Sequence, residues 1–318
     1  MNSFYNGKKI IVSGGSGFIG SRLVEVLISL NAEVHLLEDT DNNTWRLDNL
    51  RENFYLYQVE SWGYTDILKV FEKINPDIVF NLRGKLNRIK ANDRQLQKFN
   101  IEESQNFLKA AESIGVDACV HIGTIAEYGN SISALSETTP EKPICEYGES
   151  KLKTSLWLKD LIFSKNFSAT IIRLSLVYGP KQNIHDYLIP NVIKSCISGE
   201  DFEIPSTGEQ KRDPIYIDDA IDAILVAGLE KKALGEVINI GLGKDYSVGE
   251  ISNTINKEFD YPISITFSDD SHNDSITQDR WYDISKAMKI LSWQPRYSLE
   301  EGIVKTLVWY NSNRKTLR

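Results

Sequence analysis

The sequence predicts an α/β protein, a doubly wound parallel sheet with helices on both faces, joined to a smaller mixed α/β lobe at the C-terminal end. Short β-branched runs alternate with longer segments whose apolar residues recur at helical spacing. Glycines crowd the first strand-to-helix junction, and the alternation fades after Leu174. The 318 residues, 41% hydrophobic and 25% charged, suit one large α/β domain or two unequal ones. The division is expected at 1–174 and 175–318, with later strands near 213–240 returning to the first sheet.

Six buried strands are predicted: Lys9–Ser13, Glu33–Leu37, Phe54–Val59, Asp77–Leu82, Ala118–Ile122 and Ala169–Leu174. Between the first two, Ile19, Leu23, Val24, Leu27 and Leu30 share one helical face. Leu68, Val70, Phe71 and Ile74 do the same before the fourth strand, and Ile101, Phe107, Leu108 and Ala111 before the fifth. Such alternation means βαβ crossovers and parallel pairing. Beyond Leu174 the pattern predicts helices near Tyr187–Ser198, Asp218–Leu229, Ser247–Phe259 and Leu299–Asn311. Strands are expected at Asp213–Ile217, Val237–Ile240 and Ile263–Phe267, and the acidic stretch Ser268–Asp279 as a solvated loop.

A net charge of −8 supplies no overall basic field for nucleic acid or acidic membranes. Cys119, Cys145 and Cys196 form neither a zinc spacing nor a disulfide framework, which points to a reducing compartment. The four histidines show no metal-binding spacing. The N-terminus lacks the pattern of a signal peptide, and no run of 18 apolar residues occurs. The expectation is a cytoplasmic protein without metal, membrane or nucleic-acid partners.

The first strand runs into SGGSGFIGSRL, with glycines at 14, 17 and 20. Gly14 allows a tight turn, Gly17 lets the backbone approach a pyrophosphate, and Gly20 packs the helix on the strand. With Phe18 and Ile19 opening the helix, this is the cofactor cradle of a Rossmann-type unit. Glu38, at the tip of the second strand, can accept hydrogen bonds from an adenosine ribose and would repel a 2′-phosphate, which argues for NAD. Arg46, a few residues on, could offset that charge.

The pattern Tyr-x-x-x-Lys occurs three times, at Tyr5–Lys9, Tyr147–Lys151 and Tyr282–Lys286. Only Tyr147 begins a helix just after the fifth strand, at the sheet end where ligands bind. Residues four apart share a helix face, so Lys151 could lower the phenol's pKa and let it exchange protons near neutrality.

The segments VSGGSGFIGSRL, HIGTIAEYG, EYGESK, RLSLVYGP, RDPIYIDD, NIGLG and DISKAMKILSWQP resemble, in order and spacing, the extended short-chain dehydrogenases/reductases of the NAD-dependent epimerase/dehydratase family, which modify nucleotide sugars. The resemblance covers nearly the whole chain. It implies Tyr147 as general acid/base at a sugar oxygen and Lys151 tuning it while holding the nicotinamide ribose. Thr124 would hydrogen-bond the same oxygen, hydride passing between C4 and NAD. It makes 175–318 a nucleotide-sugar lobe, with Arg212 on the diphosphate and Ser175 where many relatives carry Asn beside the sugar phosphate. Arg280 is the nearest substitute for a second arginine whose usual place holds Asn273. It further implies a homodimer through the helices near 95–114 and 147–164.

The acidic pair of the 4,6-dehydratases is replaced by Ile125 and Ala126, which argues against dehydration by that route. Glu127 completes a GT-x-x-EYG string most like the 4-ketoreductase branch, although a carboxylate paired with a nearby Arg or Lys explains it equally well. After the fourth strand, Asn81-Leu82-Arg83-Gly84 replaces the family's His-Leu-Ala-Ala, and six basic residues face one acid between Arg83 and Lys98. Of these, Arg83 and Lys85 are expected to face the cleft, and Arg83 to bind substrate, its replacement by Ala weakening nucleotide-sugar or cofactor binding. The reading is a 4-ketoreductase or 4-dehydrogenase of a nucleotide-diphosphate sugar. Its rivals are a 4-epimerase with retained NAD and a non-catalytic NAD-binding regulatory protein.

Overall fold

Seven parallel strands build the main sheet of the computed structural model, which describes all of the chain except residues 42, 86–92, 184–186, 269–279 and 314–318. They are β1 (Lys9–Ser13), β2 (Glu33–Asp39), β3 (Phe54–Val59), β4 (Ile78–Asn81), β5 (Ala118–Thr124), β6 (Ala169–Leu174) and, much later, a strand at Val237–Ile240. The order across the sheet is Val237–Ile240, β6, β5, β4, β1, β2, β3. The chain thus winds outward from β1 to β3, then returns to lay β4 on the other side of β1. That reversal leaves a crevice beyond Ser13 and Asn81, which pair in register at the carboxyl ends of β1 and β4.

Both faces are covered, so the strands are apolar on both sides. Ile10 and Val12 pack with Leu23, Val24 and Leu27 of a helix over Phe18–Ser29 and with the helix Ile217–Leu229. Ile11 turns the other way, towards Ile67 and Phe71 of Tyr64–Ile74, Phe107 and Leu108 of Glu103–Ile114, and Leu158 of Glu146–Lys165. The predicted strands and helices stand within a few residues of these bounds.

In the C-terminal half, β7 (Leu176–Tyr178), β8 (Phe202–Ile204), β9 (Lys211–Arg212), β10 (Pro214–Tyr216), β11 (Val237–Ile240), β12 (Tyr246–Ser247) and β13 (Ile265–Phe267) complete the strands. Of the strands expected to return between 213 and 240, β11 joins the main sheet against β6, whereas β10 pairs with β7 outside it. The pairs β9–β12 and β8–β13 also stand outside the main sheet, and the helices of this half include Leu188–Ser198, Val248–Lys257, Ser285–Leu291 and Leu299–Ser312.

Two of the three candidate tyrosines are core residues. Tyr5 is fully buried and donates to the Leu225 carbonyl at 2.6 Å. Tyr282 is 1% exposed and packs edge-on against Tyr128. Arg88, Lys90, Asn273 and most of the acidic stretch lie outside the described residues.

Candidate active site

The glycine turn is forced by close approach. Gly14 has φ +73°, and a β-carbon there would stand 3.0 Å from the Leu82 carbonyl carbon and oxygen. A β-carbon on Gly20 would run into the Gly14 carbonyl oxygen. The helix Phe18–Ser29 starts at Gly17 with no side-chain cap, leaving its first N–H groups, those of Phe18 and Ile19 included, without intrahelical partners at the crevice. This arrangement fits a pyrophosphate. At the tip of β2 the Ser16 N–H donates to Glu38 Oε1 at 2.7 Å, which ties the predicted ribose-binding carboxylate to the glycine turn. Arg46 stands at the same turn: its Nη1 donates to the Ser16 carbonyl at 3.4 Å and its Nε to the Lys181 carbonyl at 2.9 Å, and it stacks on Trp45.

Thr124 and Tyr147 come from different elements and meet because Gly148 has no side chain. A β-carbon on Gly148 would run into the Ala126 carbonyl oxygen, so the helix Glu146–Lys165 can rest directly on the turn after β5. The Thr124 hydroxyl is then close enough to act on the Tyr147 phenol. Thr124 also caps the short turn Ile125–Glu127, its Oγ accepting from the Ala126 N–H at 3.3 Å. Capping and contact with Tyr147 thus fall on one hydroxyl. Lys151, one turn on, is 3% exposed. Its ammonium lies 3.6 Å from where a β-carbon on Gly84 would stand, beside the turn that follows β4. Tyr147 therefore faces the end of β5, and Lys151 faces the crevice where the glycine turn ends.

Burial, followed by Tyr187 and Glu127, raises the Tyr147 phenol above its ordinary range, and the Thr124 hydroxyl opposes this. The expected lowering by Lys151 is not among the causes; the correction is that burial governs this phenol. Lys151 itself is pushed down to about 8 by burial, against the pull of Glu127. Its ammonium carries a burial cost that is complete below pH 8 and relieved as pH rises from 8 towards the unfolded value of 10.5. Lys151→Met is therefore expected to raise the melting temperature at pH 7, by roughly 3 kcal/mol of stability at most. The gain should shrink above pH 8. A variant that melts lower than the parent at pH 7 would refute this.

The carboxylate of Glu127 lies away from the cleft. Its Oε1 accepts from the Thr124 N–H at 2.9 Å, and its Oε2 accepts from Arg173 Nε at 2.8 Å. Both side chains are wholly buried, and Arg173 Nη2 donates on to Glu141 at 2.6 Å. Tyr128 lies against Arg173 and donates to Asn239 Oδ1 at 2.9 Å. The Glu and Tyr of the GT-x-x-EYG string thus brace the turn that carries Thr124.

Arg83 requires a second correction. Expected to reach substrate, it is 4% exposed; its Nε donates to Glu103 at 2.8 Å, and its Nη2 to Asp39 at 3.1 Å. Two carboxylates on the β3 side of the crevice hold it. Lys85 is exposed, with its ammonium 3.7 Å from the Phe99 ring centre.

On the other side, Ser175 follows Leu174, the partner of Thr124 in the β5–β6 register, and its buried hydroxyl has no hydrogen-bond partner among the described residues. Arg212 lies in β9, and the backbone N–H of Arg280 donates to the carbonyl of Lys211, the preceding residue of that strand, at 3.1 Å. The Arg280 Nε is buried without a hydrogen-bond partner among the described residues, and burial lowers its pKa. Sequence reasoning missed Asn100. It lies in a π-helical turn, Gln97–Glu102, where its Oδ1 accepts from the Lys85 N–H at 2.8 Å and its Nδ2 donates to Ser150 at 2.9 Å. It clamps the turn after β4 to the helix of Tyr147, and only contacts remote in sequence reveal it.

A parallel sheet with a glycine-rich turn at its reversal point and a Thr–Tyr–Lys constellation beside it defines an enzyme of the short-chain dehydrogenase/reductase type. A family model described as the NAD dependent epimerase/dehydratase family matches residues 10–241. The chain belongs to that family, and NAD is its cofactor. It is 28% identical to a dTDP-D-glucose 4,6-dehydratase of Homo sapiens, over 96% of this chain and 91% of that one. It is 25% identical to a UDP-N-acetyl-alpha-D-glucosaminuronate decarboxylase of Bacillus cytotoxicus, over 95% and 98%. The solved structure of a UDP-glucuronic acid 4-epimerase from Bacillus cereus, in complex with UDP-glucuronic acid and NAD, superposes with a TM-score of 0.85. That pair is 28% identical and covers 96% and 99% of the two chains.

Proposed function

We propose that this enzyme transfers hydride at C4 of a nucleotide-diphosphate sugar, with Tyr147 exchanging the proton of the C4 oxygen. The observation that carries the reading is the juxtaposition of Thr124 and Tyr147 at the sheet end beside buried Lys151. NAD supplies the hydride acceptor and donor. A neutral Tyr147 donates its proton to a C4 ketone oxygen that the Thr124 hydroxyl helps to hold; the reverse step needs the phenolate, which the Thr124 hydroxyl favours. Arg212, Arg280 and Ser175 are assigned to the substrate's diphosphate and sugar. The unpartnered Arg280 Nε and Ser175 hydroxyl support this, since a buried donor without an acceptor is costly until a ligand supplies one.

Two net reactions share these residues, 4-keto reduction and 4-epimerisation. The withdrawal of Glu127 into its pair with Arg173 removes the feature that had favoured reduction and moves epimerisation forward. Ile125 and Ala126 offer no acid or base for dehydration.

The test is to denature freshly purified protein and identify the nucleotide it releases. Near-stoichiometric NAD(H), together with C4 inversion of a nucleotide sugar in the absence of added cofactor, is the expected epimerase result. An empty protein that consumes NADH with a 4-keto nucleotide sugar would make it a reductase, and inertness in both assays would refute C4 chemistry. Weighed by light scattering before denaturation, the preparation should be a dimer. Leu156 and Phe163, 44% and 93% exposed on the helix of Tyr147, support that assembly.

A further inference from the structure

The segments RDPIYIDD and NIGLG and the Tyr282–Lys286 pattern are far apart along the chain, yet they meet at one buried side chain. Asp213 stands between β9 and β10 and is 1% exposed. Its Oδ1 accepts from the Leu242 N–H at 2.6 Å. Its Oδ2 accepts from the N–H groups of Tyr282 at 3.0 Å and Gly243 at 3.4 Å. Its backbone carbonyl takes the Leu176 N–H at 3.1 Å. At Gly241 a β-carbon would run into the Asp213 carboxylate, so the turn 241–243 closes on it only with glycine there.

The stretches gathered here carry the residues assigned to the substrate. Arg212 precedes Asp213, and its Nη1 donates to the Lys211 carbonyl at 2.8 Å. The same carbonyl accepts the Arg280 backbone N–H at 3.1 Å, and the Tyr282 N–H reaches Asp213 just beyond it. Segment 280–282 is thus laced to 211–213 at both ends. Ser175 precedes Leu176, and its own N–H donates to the Ile240 carbonyl at 2.9 Å, directly before Gly241. Arg212, Arg280 and Ser175 therefore come from separate stretches of chain; Asp213 lies in the first and bonds to the other two. Burial pushes its carboxyl up to about 7, against the pull of the three N–H groups. Those groups would be buried and unpaired without it.

We propose that Asp213 is a positioning residue for the substrate: it sets Arg212, Arg280 and Ser175 relative to one another without itself touching the diphosphate or the sugar. The inference rests on the assignment of those three residues to the substrate and adds what aligns them.

The test is nucleotide affinity at about pH 8, where the Asp213 carboxyl is mostly ionised. Full-length protein saturated with NAD is titrated by calorimetry with ADP, CDP, GDP, UDP and dTDP, and the tightest binder becomes the probe. Asp213→Asn keeps the size of the side chain and turns one acceptor oxygen into a donor nitrogen. Gly241→Ala pushes the carboxylate aside without altering it. Both variants should bind the probe about tenfold more weakly or worse, while NAD affinity stays at the parent's value. Asp219→Asn is the control: that buried carboxylate accepts the Tyr297 N–H at 3.0 Å, outside the stretches that Asp213 joins, and its loss should leave probe affinity within about twofold. The Asp213→Asn penalty should be at least about threefold smaller in an Arg212→Met background, because part of it acts through that arginine. A purely structural Asp213 would lower the melting temperature and leave the folded protein's affinity alone. Probe affinity within about twofold of the parent's in either variant, or an undiminished penalty in Arg212→Met, overturns the proposal. A parent that holds NAD and binds none of the five diphosphates instead refutes the substrate assignment beneath it.

Discussion

Replacing Tyr147 with Phe is expected to lower turnover by roughly 10²- to 10⁴-fold while NAD binding stays close to that of the parent. The ring remains and only the phenolic oxygen is lost, so packing against the start of the helix is preserved. What disappears is the proposed proton carrier beside Thr124. Steady-state kinetics with a 4-keto nucleotide sugar, or C4 inversion followed by NMR, measures the effect, and NADH titration checks that the site is intact. A variant that binds and turns over like the parent would remove Tyr147 from the chemistry and revive the reading of a non-catalytic NAD-binding protein.

The second large effect concerns stability. Arg173→Met should cost about 3–5 kcal/mol, because it strands Glu127 as an uncompensated charge in the interior. Glu127 would keep the Thr124 N–H but lose its cation, and Glu141 would lose a partner as well. The melting temperature of Arg173→Met should fall by roughly 10 °C. Much of that loss should return when Glu127→Gln is added, since the double variant leaves no lone carboxylate in the core. If Glu127 were instead a catalytic acid or base, Glu127→Gln alone would erase a limb of the pH–rate profile. A profile that keeps its shape in Glu127→Gln, beside a clear melting defect in Arg173→Met, is the result expected from the geometry.

The two predictions concern one turn seen from its two sides. Thr124 faces Tyr147, while Glu127, three residues on, reaches back to the Thr124 N–H and into the pair with Arg173. The position of the Thr124 hydroxyl thus depends on a buried ion pair that touches neither cofactor nor substrate. Arg173 belongs to β6 and Glu141 to the loop before the catalytic helix, so the pair also ties that loop to the sheet.

The sequence by itself determined the parallel sheet, the glycine turn and the choice of Tyr147 over Tyr5 and Tyr282, because these follow from local pattern. Short continuous apolar runs report strands buried on both faces, and period-3.6 apolar spacing reports the helices that cover them. A strand–glycine–helix junction has few physical uses, and position relative to the fifth strand separated the three tyrosines. Tertiary structure alone decided the partners of the charged residues. Arg83 and Arg212 both stand near predicted strand ends, yet one is locked between Asp39 and Glu103 while the other lies in β9, outside the main sheet. Glu127 reads equally well as an acid or as half of an ion pair until Arg173, 46 residues away, is seen against it. Asn100 carried no sequence signal at all, because its role is to join two backbone segments that meet only in the fold. The physical reason is common to all of them. Spacing along the chain reports which face a side chain occupies, whereas a charge is defined by what lies across from it, and here those neighbours are many residues distant.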